Sequence, residues 1–191
     1  MIIKVLLENK GENMKNILIV SGHTDLNNSV ANKNILNKLK NELPNAKFDV
    51  LSELYPNYMI DADKEQEKLL NADIIVLQYP IFWYSMPSLL ERWMEEVFKH
   101  GFSHGSTGDK LKGKKLIVSL TTGAPEETYT NIDDFLNPIK ATCKLCQMEY
   151  VGSIVTYGVS YQIRNEKSDE IIEKTNNHVN KLINMINERE N

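Results

Sequence analysis

Apolar and polar positions follow one another in blocks that predict an ordered series of strands and helices. Short apolar runs, typical of strands covered on both faces of a parallel sheet, occupy residues 15–21, 47–51, 74–77, 116–120 and 148–156. Between them, apolar residues recur every three or four positions, the spacing of helices that pack one face against a sheet. These helical stretches are residues 30–43, 63–71, 86–98, 132–146 and 168–188, the fourth with a start or kink near Pro138.

Five strand–helix units without repeats or linkers predict an α/β fold with a doubly wound, five-stranded parallel sheet. The expected strand order is 2-1-3-4-5, with helices on both faces. Loops that leave the carboxyl ends of strands one, three and four would then meet at one crevice, where such sheets bind ligands. Met14 stands directly before the first strand, so the domain is expected to span residues 14–191 and residues 1–13 to be an N-terminal extension.

Composition and charge exclude several classes of function. The 191 residues carry a net charge of −4 and show no basic stripe, so nucleic acid is not an expected partner. No apolar run reaches the roughly 18 residues of a membrane span, and the first residues do not form a signal peptide, so a cytoplasmic protein is expected. Cys143 and Cys146 are half a zinc site at most and close a helix, so we expect two reduced structural thiols and no metal.

The loop after the first strand has the composition of an anion site. Ser29 is a good N-cap, and the free backbone N–H groups of the helix that follows favour a phosphate. The polar residues that crowd its approach are His23, Asn27, Asn28, Ser29 and Asn32. The loop matches neither a Walker A motif nor a dinucleotide fingerprint, and a polar loop alone is a weak signal.

Three consecutive aromatic residues, Phe82, Trp83 and Tyr84, follow the buried third strand. They cannot all face one interior, so we expect a flat ligand against this loop, whereas Trp93 and Phe98 on the next helix belong to the core. A third loop of this kind, residues 121–125, leaves the fourth strand. Together the three loops match the phosphate and ring of a flavin mononucleotide.

For two further regions, a purely structural role is an alternative to a functional one. In the glycine-rich residues 100–108, His100, Phe102 and His104 either line a mouth or belong to an ordinary surface loop. His178 is expected to be a partly buried structural histidine at the edge of the last helix's inner face. The residues expected on that face are Ile172, Thr175, Val179, Leu182 and Ile186, with Ser168 as the cap.

The motifs at His23 and residues 29–33, 79–87, 100–102 and 121–123 together resemble the flavodoxin-like NAD(P)H quinone oxidoreductase family. The similarity extends from about Met14 to the fifth strand. It is greatest to a small bacterial branch that includes ancillary subunits of glutathione-gated potassium efflux systems.

The resemblance implies FMN as cofactor, NAD(P)H as electron donor, a quinone or related acceptor and a homodimer. FMN is favoured over FAD because the chain lacks the extra C-terminal segment of FAD-binding members. The implied phosphate-binding residues are His23, Ser29, Val30, Ala31 and Asn32. The implied ring-binding residues are Ile81, Phe82, Trp83, Tyr84, Thr121, Thr122, Gly123 and Ala124.

The resemblance also assigns catalytic and substrate-binding roles. Gly123 and Tyr129 are the implied catalytic residues, with backbone N–H groups of residues 122 and 123 near the flavin N1 and O2, and Phe102 and His104 the implied substrate contacts. Phe135 stands where larger members have the histidine partner of Tyr129, which argues against a proton relay.

Three alternative functions stay open from the sequence. An electron-carrying flavodoxin has the same fold, but the first loop lacks its Thr-x-Thr-Gly-x-Thr pattern. A regulatory subunit docked on a potassium efflux protein is also compatible with the motifs. A non-enzymatic binding module is disfavoured because three ligand loops converge.

Overall fold

The structure is a computed structural model that describes residues 15–163 and 165–188. Within these residues, five strands form one parallel sheet in the order β2-β1-β3-β4-β5, which confirms the predicted topology. The strands are β1 Ile17–Ser21, β2 Lys47–Val50, β3 Ile74–Pro80, β4 Lys115–Thr121 and β5 Glu149–Thr156. The predicted extension, residues 1–13, lies outside the described residues.

Helices cover both faces of the sheet, as expected. They are α1 Ala31–Glu42, α2 Leu51–Leu54, α3 Ala62–Asn71, α4 Ser88–Val97, α5 Asn137–Leu145 and α6 Ser168–Asn187. Leu51, assigned to the second strand from sequence, instead begins the single turn of α2. Pro138 lies in the first turn of α5, directly after a 3-10 segment, so the predicted break is confirmed.

The core has two layers, one on each side of β3, whose seven residues are all buried. On one side, α1 and α6 pack their apolar faces against β1 and β3. On the other side, α3, α4 and α5 cover the sheet, with Trp93 as the largest fully buried side chain. Burial on both faces explains the apolar runs at residues 74–77 of β3 and 116–118 of β4.

The inner face of α6 differs from the expectation by one residue. Ile171 is buried, whereas Ile172 is 41% exposed, because the helix places Ile171 one turn before Thr175 on the buried face. Ser168 does not cap the helix, since Lys167 occupies that position and no side chain bonds the helix start. His178 is not partly but fully buried.

A buried charged cluster joins α3 to the core far from the crevice. Glu65 is fully buried and accepts hydrogen bonds from Tyr55 Oη at 2.7 Å and Trp93 Nε1 at 2.8 Å. Lys68 Nζ lies between Glu65 at 2.6 Å and Asp49 Oδ1 at 2.9 Å. The second Asp49 oxygen is buried with no hydrogen-bond partner among the described residues, and burial raises the pKa of Asp49 to about 6.

Candidate functional site

A cavity of about 500 Å³ opens at the carboxyl ends of β1, β3 and β4, beside the point where strand order reverses. It lies where the sequence predicted the ligand crevice, and it falls within the range of small-molecule sites. Its lining residues are His23, Asp25, Asn28, Ser29, Val30, Ala31, Asn32, Pro80, Ile81, Phe82, Thr121, Thr122, Gly123, Val159, Ser160 and Tyr161.

The first turn of α1 forms one end of this cavity. Val30 already has helical backbone angles, and the extended Ser29 before it accepts a hydrogen bond from Asn32 N–H through its Oγ at 3.2 Å. Ser29 therefore caps the helix, as predicted. No acceptor among the described residues engages the N–H groups of Val30 and Ala31. These two donors, at the positive end of the helix, are suited to bind an anion.

His23 adds a polar group whose orientation the local backbone fixes. Its Nδ1 accepts a hydrogen bond from Asp25 N–H at 3.0 Å, so in the neutral ring Nε2 carries the proton. Burial lowers the pKa of His23, although the nearby charge of Asp25 opposes the shift. The imidazole is therefore mainly neutral near pH 7, and it offers an N–H donor rather than a positive charge.

Asn32 lines the cavity, but its amide is used inside the protein. It is 3% exposed, and its Oδ1 accepts from Gln78 Nε2 at 2.5 Å. Its Nδ2 lies 3.0 Å from Thr121 Oγ1 and 3.3 Å from Ser29 Oγ. Ser21 Oγ completes the chain by donating to Gln78 Oε1 at 2.8 Å. This network ties α1 to β1, β3 and β4, so Asn32 holds the helix in place rather than contacting a ligand through its amide.

The turn after β4 presents fewer donors than the sequence suggested. Thr122 N–H donates to Thr156 O at 2.9 Å, so it is not available to a cofactor. The prediction that this N–H donates to the flavin was therefore wrong. Thr122 Oγ1 donates to Ala124 O at 2.7 Å and closes the turn. Gly123 N–H has no acceptor among the described residues. Gly123 is therefore the donor that this turn offers to the cavity, and Ala124 lies outside its lining.

The aromatic loop is a tight turn with an unusual backbone. Phe82 and Ser85 exchange two hydrogen bonds of 2.9 Å, and between them Trp83 and Tyr84 both have positive φ, +48° and +64°. Because Ile81 N–H and Phe82 N–H are bonded, to Thr121 O and Ser85 O, the loop's available donors are those of Trp83 and Tyr84. The wall residues Ile81 and Phe82 line the cavity, whereas Trp83 and Tyr84 project beyond it.

Tyr129 belongs to an aromatic cluster beside the cavity, not to its lining. Its ring centroid lies 6.5 Å from that of Tyr84, 5.9 Å from Phe135 and 6.0 Å from Tyr157. Phe135 also contacts Tyr84, at 5.4 Å. Phe135 supplies no proton partner for the Tyr129 hydroxyl, in line with the sequence argument against a relay.

The residues predicted to contact substrate are not in this cavity. Phe102 packs against the core, and His104 contacts Ser103 through Nδ1 at 2.9 Å and the His100 ring at 5.6 Å. Backbone hydrogen bonds close residues 99–110 into a compact structure. Phe102 and His104 therefore make their contacts with the core and within this loop, and they do not line the cavity.

Sequence reasoning missed one wall of the cavity. Val159, Ser160 and Tyr161, in the segment after β5, line the site. Val159 N–H bonds Thr122 O at 2.9 Å, which holds the segment against the β4 turn. Their signal in the sequence was only their position after the carboxyl end of a strand.

Two other classes of site have no support in the described residues. Cys143 and Cys146 are free and buried, and burial raises the pKa of both thiols, in agreement with structural cysteines. Across residues 15–163 and 165–188, no three His, Cys, Asp or Glu side chains lie close enough to hold a metal. Over the same residues, no helix has the length and apolar content to cross a bilayer.

With this geometry established, comparison with known proteins assigns the chain to a family. A sequence model of the flavodoxin-like fold matches residues 15–182. The chain belongs to this flavodoxin-like family. The expected resemblance to NAD(P)H oxidoreductases and to potassium-efflux ancillary proteins is also confirmed by individual relatives.

Two relatives and one crystal structure illustrate the relationship. The uncharacterised NAD(P)H oxidoreductase YrkL of Bacillus subtilis is 38% identical over 152 residues, 76% of this chain and 86% of that protein. The glutathione-regulated potassium-efflux system ancillary protein KefG of an Enterobacter species is 35% identical over 148 residues, 74% and 80% of the two chains. General stress protein 14 of Treponema denticola, crystallised with FMN, superposes with a TM-score of 0.80 at 25% identity, covering 89% and 99%.

Proposed function

We propose that this protein is an FMN-dependent NAD(P)H oxidoreductase that reduces quinones or related acceptors by two-electron hydride transfer. The observation that carries the proposal is the composition of the cavity at the carboxyl ends of the strands. Free helix N-terminal donors lie at one end of it, and Gly123 N–H and the aromatic loop lie on its walls. An anion donor set next to a cavity with an aromatic wall suits a phosphate joined to a planar ring. The FMN-bound relative and the relatives named as oxidoreductases support the same assignment.

The residues present fit FMN. Val30 N–H, Ala31 N–H and the neutral His23 would hold its phosphate, whereas Asp25, whose carboxylate accepts from Asn28 at 2.6 Å, is occupied within the loop. Bound FMN supplies a ring that accepts a hydride from reduced nicotinamide and delivers it to an acceptor. Gly123 N–H would donate to the edge of that ring, where a preorganised donor stabilises developing negative charge.

The test is an absorbance spectrum combined with a turnover assay. Protein reconstituted with FMN should bind one flavin per chain, show the flavin absorption bands and oxidise NADH or NADPH when a quinone is present. Ser29→Ala should weaken FMN binding roughly 5- to 160-fold, the effect of about 1–3 kcal/mol from a lost cap and a disturbed anion site. A protein without FMN affinity would contradict the proposal.

A regulatory role is a second candidate, supported by the KefG relative. In this role the protein would dock on a potassium efflux protein and keep its reductase activity. Co-purification with such a membrane protein from the source cell would support this role, and its absence under conditions that preserve the complex would count against it.

Free buried thiols agree with a cytoplasmic location, which we also propose.

We further propose a homodimer. Trp83 is 95% exposed, Tyr84 59% and Phe82 40%, so one short turn presents three aromatic side chains to solvent. Such a surface is typical of a contact region. Sedimentation of the protein at micromolar concentration should show a dimer, and Trp83→Ala should shift it toward the monomer. A wild-type protein that sediments only as a monomer would contradict this proposal.

A further inference from the structure

The fully buried His178 of α6 joins β4 and β5 near their carboxyl ends. Its Nε2 lies 2.7 Å from Ser119 Oγ on β4, and its Nδ1 lies 2.8 Å from Thr156 Oγ1 at the end of β5. His178 is 1% exposed, and burial, aided by the positive charge of Lys181, lowers its pKa to about 4. The neutral ring has one donor and one acceptor, so it can satisfy both hydroxyls at once.

Thr156 begins the segment that holds the β4 turn. Its carbonyl accepts Thr122 N–H at 2.9 Å, and two residues later Gly158 N–H donates to Ala124 O at 2.9 Å. Gly158 has a φ of +67°, a left-handed conformation that lets the chain fold back over the turn. Val159 N–H then bonds Thr122 O at 2.9 Å. Three hydrogen bonds therefore fix the turn of Gly123 to a segment whose first residue is bonded to His178.

The same segment also shapes the cavity directly. Val159, Ser160 and Tyr161 line it, and Ser160 lies 3.7 Å from the position that a Cβ on Gly123 would occupy. A displacement of Thr156 would therefore move both the wall formed by residues 159–161 and the turn that carries the Gly123 donor. An apolar residue in place of His178 would leave the buried hydroxyls of Ser119 and Thr156 without this partner.

We propose that His178 is a positioning residue for the cofactor site, acting through Thr156 to fix the turn that presents Gly123 N–H. Its bond to Ser119 anchors α6 to β4 but does not reach the turn. The proposal rests on the FMN-dependent function proposed above. It assigns the two ring nitrogens different roles, which permits a test by isosteric substitution.

Two amide substitutions separate these roles. In His178→Asn, the amide ends near the place of Nδ1, so the bond to Thr156 is kept and the bond to Ser119 is lost. In His178→Gln, the longer side chain reaches the place of Nε2, so the bond to Ser119 is kept and the bond to Thr156 is lost. Thr156→Val and Ser119→Ala remove the same two bonds from the strand side, and they carry the test if a His178 variant does not fold.

The measurement is the two-electron reduction potential of bound FMN, together with its dissociation constant and absorption spectrum. Because Gly123 N–H would stabilise charge on the reduced ring, His178→Gln and Thr156→Val should weaken binding of reduced FMN about tenfold more than binding of oxidised FMN. For a two-electron couple, this factor corresponds to a potential about 30 mV more negative. His178→Asn and Ser119→Ala should leave the potential unchanged, although they destabilise the fold.

Thr175→Val is the matched control on the same helix. Thr175 is fully buried and bonds Asn34 of α1, away from the β4 turn, so its loss should lower stability without changing the potential. Equal shifts in the Gln and Asn variants, no shift in any variant, or a shift confined to the Asn and Ser119 variants would overturn the proposal. A wild-type protein without FMN affinity would instead refute the underlying function.

Discussion

Removing the side chain of Asn32 should cost much more stability than removing that of Asn34, although both asparagines lie on α1. Asn32 is 3% exposed and accepts from the fully buried Gln78 at 2.5 Å. In Asn32→Ala, Gln78 Nε2 becomes a buried donor without a partner, and Thr121 and Ser29 lose the amide that joins them. Asn34 is less buried and makes one side-chain bond, to Thr175, so the same substitution there removes far less.

The magnitude follows from these partners. A buried donor left unsatisfied costs about 1–3 kcal/mol, and the hydrogen bonds lost to Thr121 and Ser29 add to this. We expect Asn32→Ala to lower the free energy of unfolding by about 2–4 kcal/mol. Asn34→Ala removes a single, partly solvated bond and should cost roughly 1 kcal/mol. FMN affinity should fall only for Asn32→Ala, because its network fixes the helix end that offers Val30 N–H and Ala31 N–H.

Urea unfolding of the flavin-free proteins, followed by circular dichroism, measures the difference. The midpoint should fall in the order wild type, Asn34→Ala, Asn32→Ala with an unchanged slope, since the surface exposed on unfolding does not change. FMN titration by fluorescence quenching then shows whether each variant loses cofactor affinity as well as stability. Equal midpoints for the two variants would refute the argument that the network under α1 is a main support of the site.

Four further outcomes are expected. Tyr129→Phe should reduce turnover by less than tenfold, below the roughly 10²–10⁴-fold of general acid–base groups, because Phe135 gives its hydroxyl no proton partner. Steady-state kinetics should give parallel double-reciprocal lines, since one cavity must serve donor and acceptor in turn; intersecting lines would contradict this. The double variant Cys143→Ser, Cys146→Ser should keep flavin and turnover, because both thiols are buried. Asp49→Asn should gain stability relative to wild type as pH rises from about 4 to about 6, and the difference should level off above pH 6. Burial raises the native pKa of Asp49 to about 6, so the wild type loses stability as pH rises through this window; a constant difference between pH 4 and 8 in urea unfolding would contradict it.

The sheet and the place of the site were predictable because both depend on patterns that are local in the sequence. Burial on both faces makes β3 and β4 largely apolar, and a series of βα units fixes the parallel order. Since ligands bind at the carboxyl edge of such a sheet, strand order and loop position suffice to place His23, Ser29 and Phe82 together.

The predictions that failed concern residues whose environment depends on partners far away in sequence. Thr122 looks like any other turn residue, and only its neighbour Thr156 shows that its N–H is already used. Ile171 and Ile172 are adjacent and equally apolar, so spacing alone could not decide which of them faces the sheet. Val159 and Ser160 carry no motif, and their role depends on the chain folding back after β5.

The backbone conformation of the aromatic loop is not explained by the stability of the fold. Positive φ at a bulky residue is unfavourable, at a cost of order 1–3 kcal/mol each, and asparagine or glycine would serve a two-residue turn better. Trp83 gains nothing from the core to offset this cost, because its side chain is 95% exposed. The paired bonds between Phe82 and Ser85 hold the turn in place. Trp83 faces outward, whereas the Tyr84 ring contacts those of Tyr129 and Phe135. The folding of a single chain therefore gives no reason for a tryptophan at this position, which agrees with a role of Trp83 in the contacts proposed above.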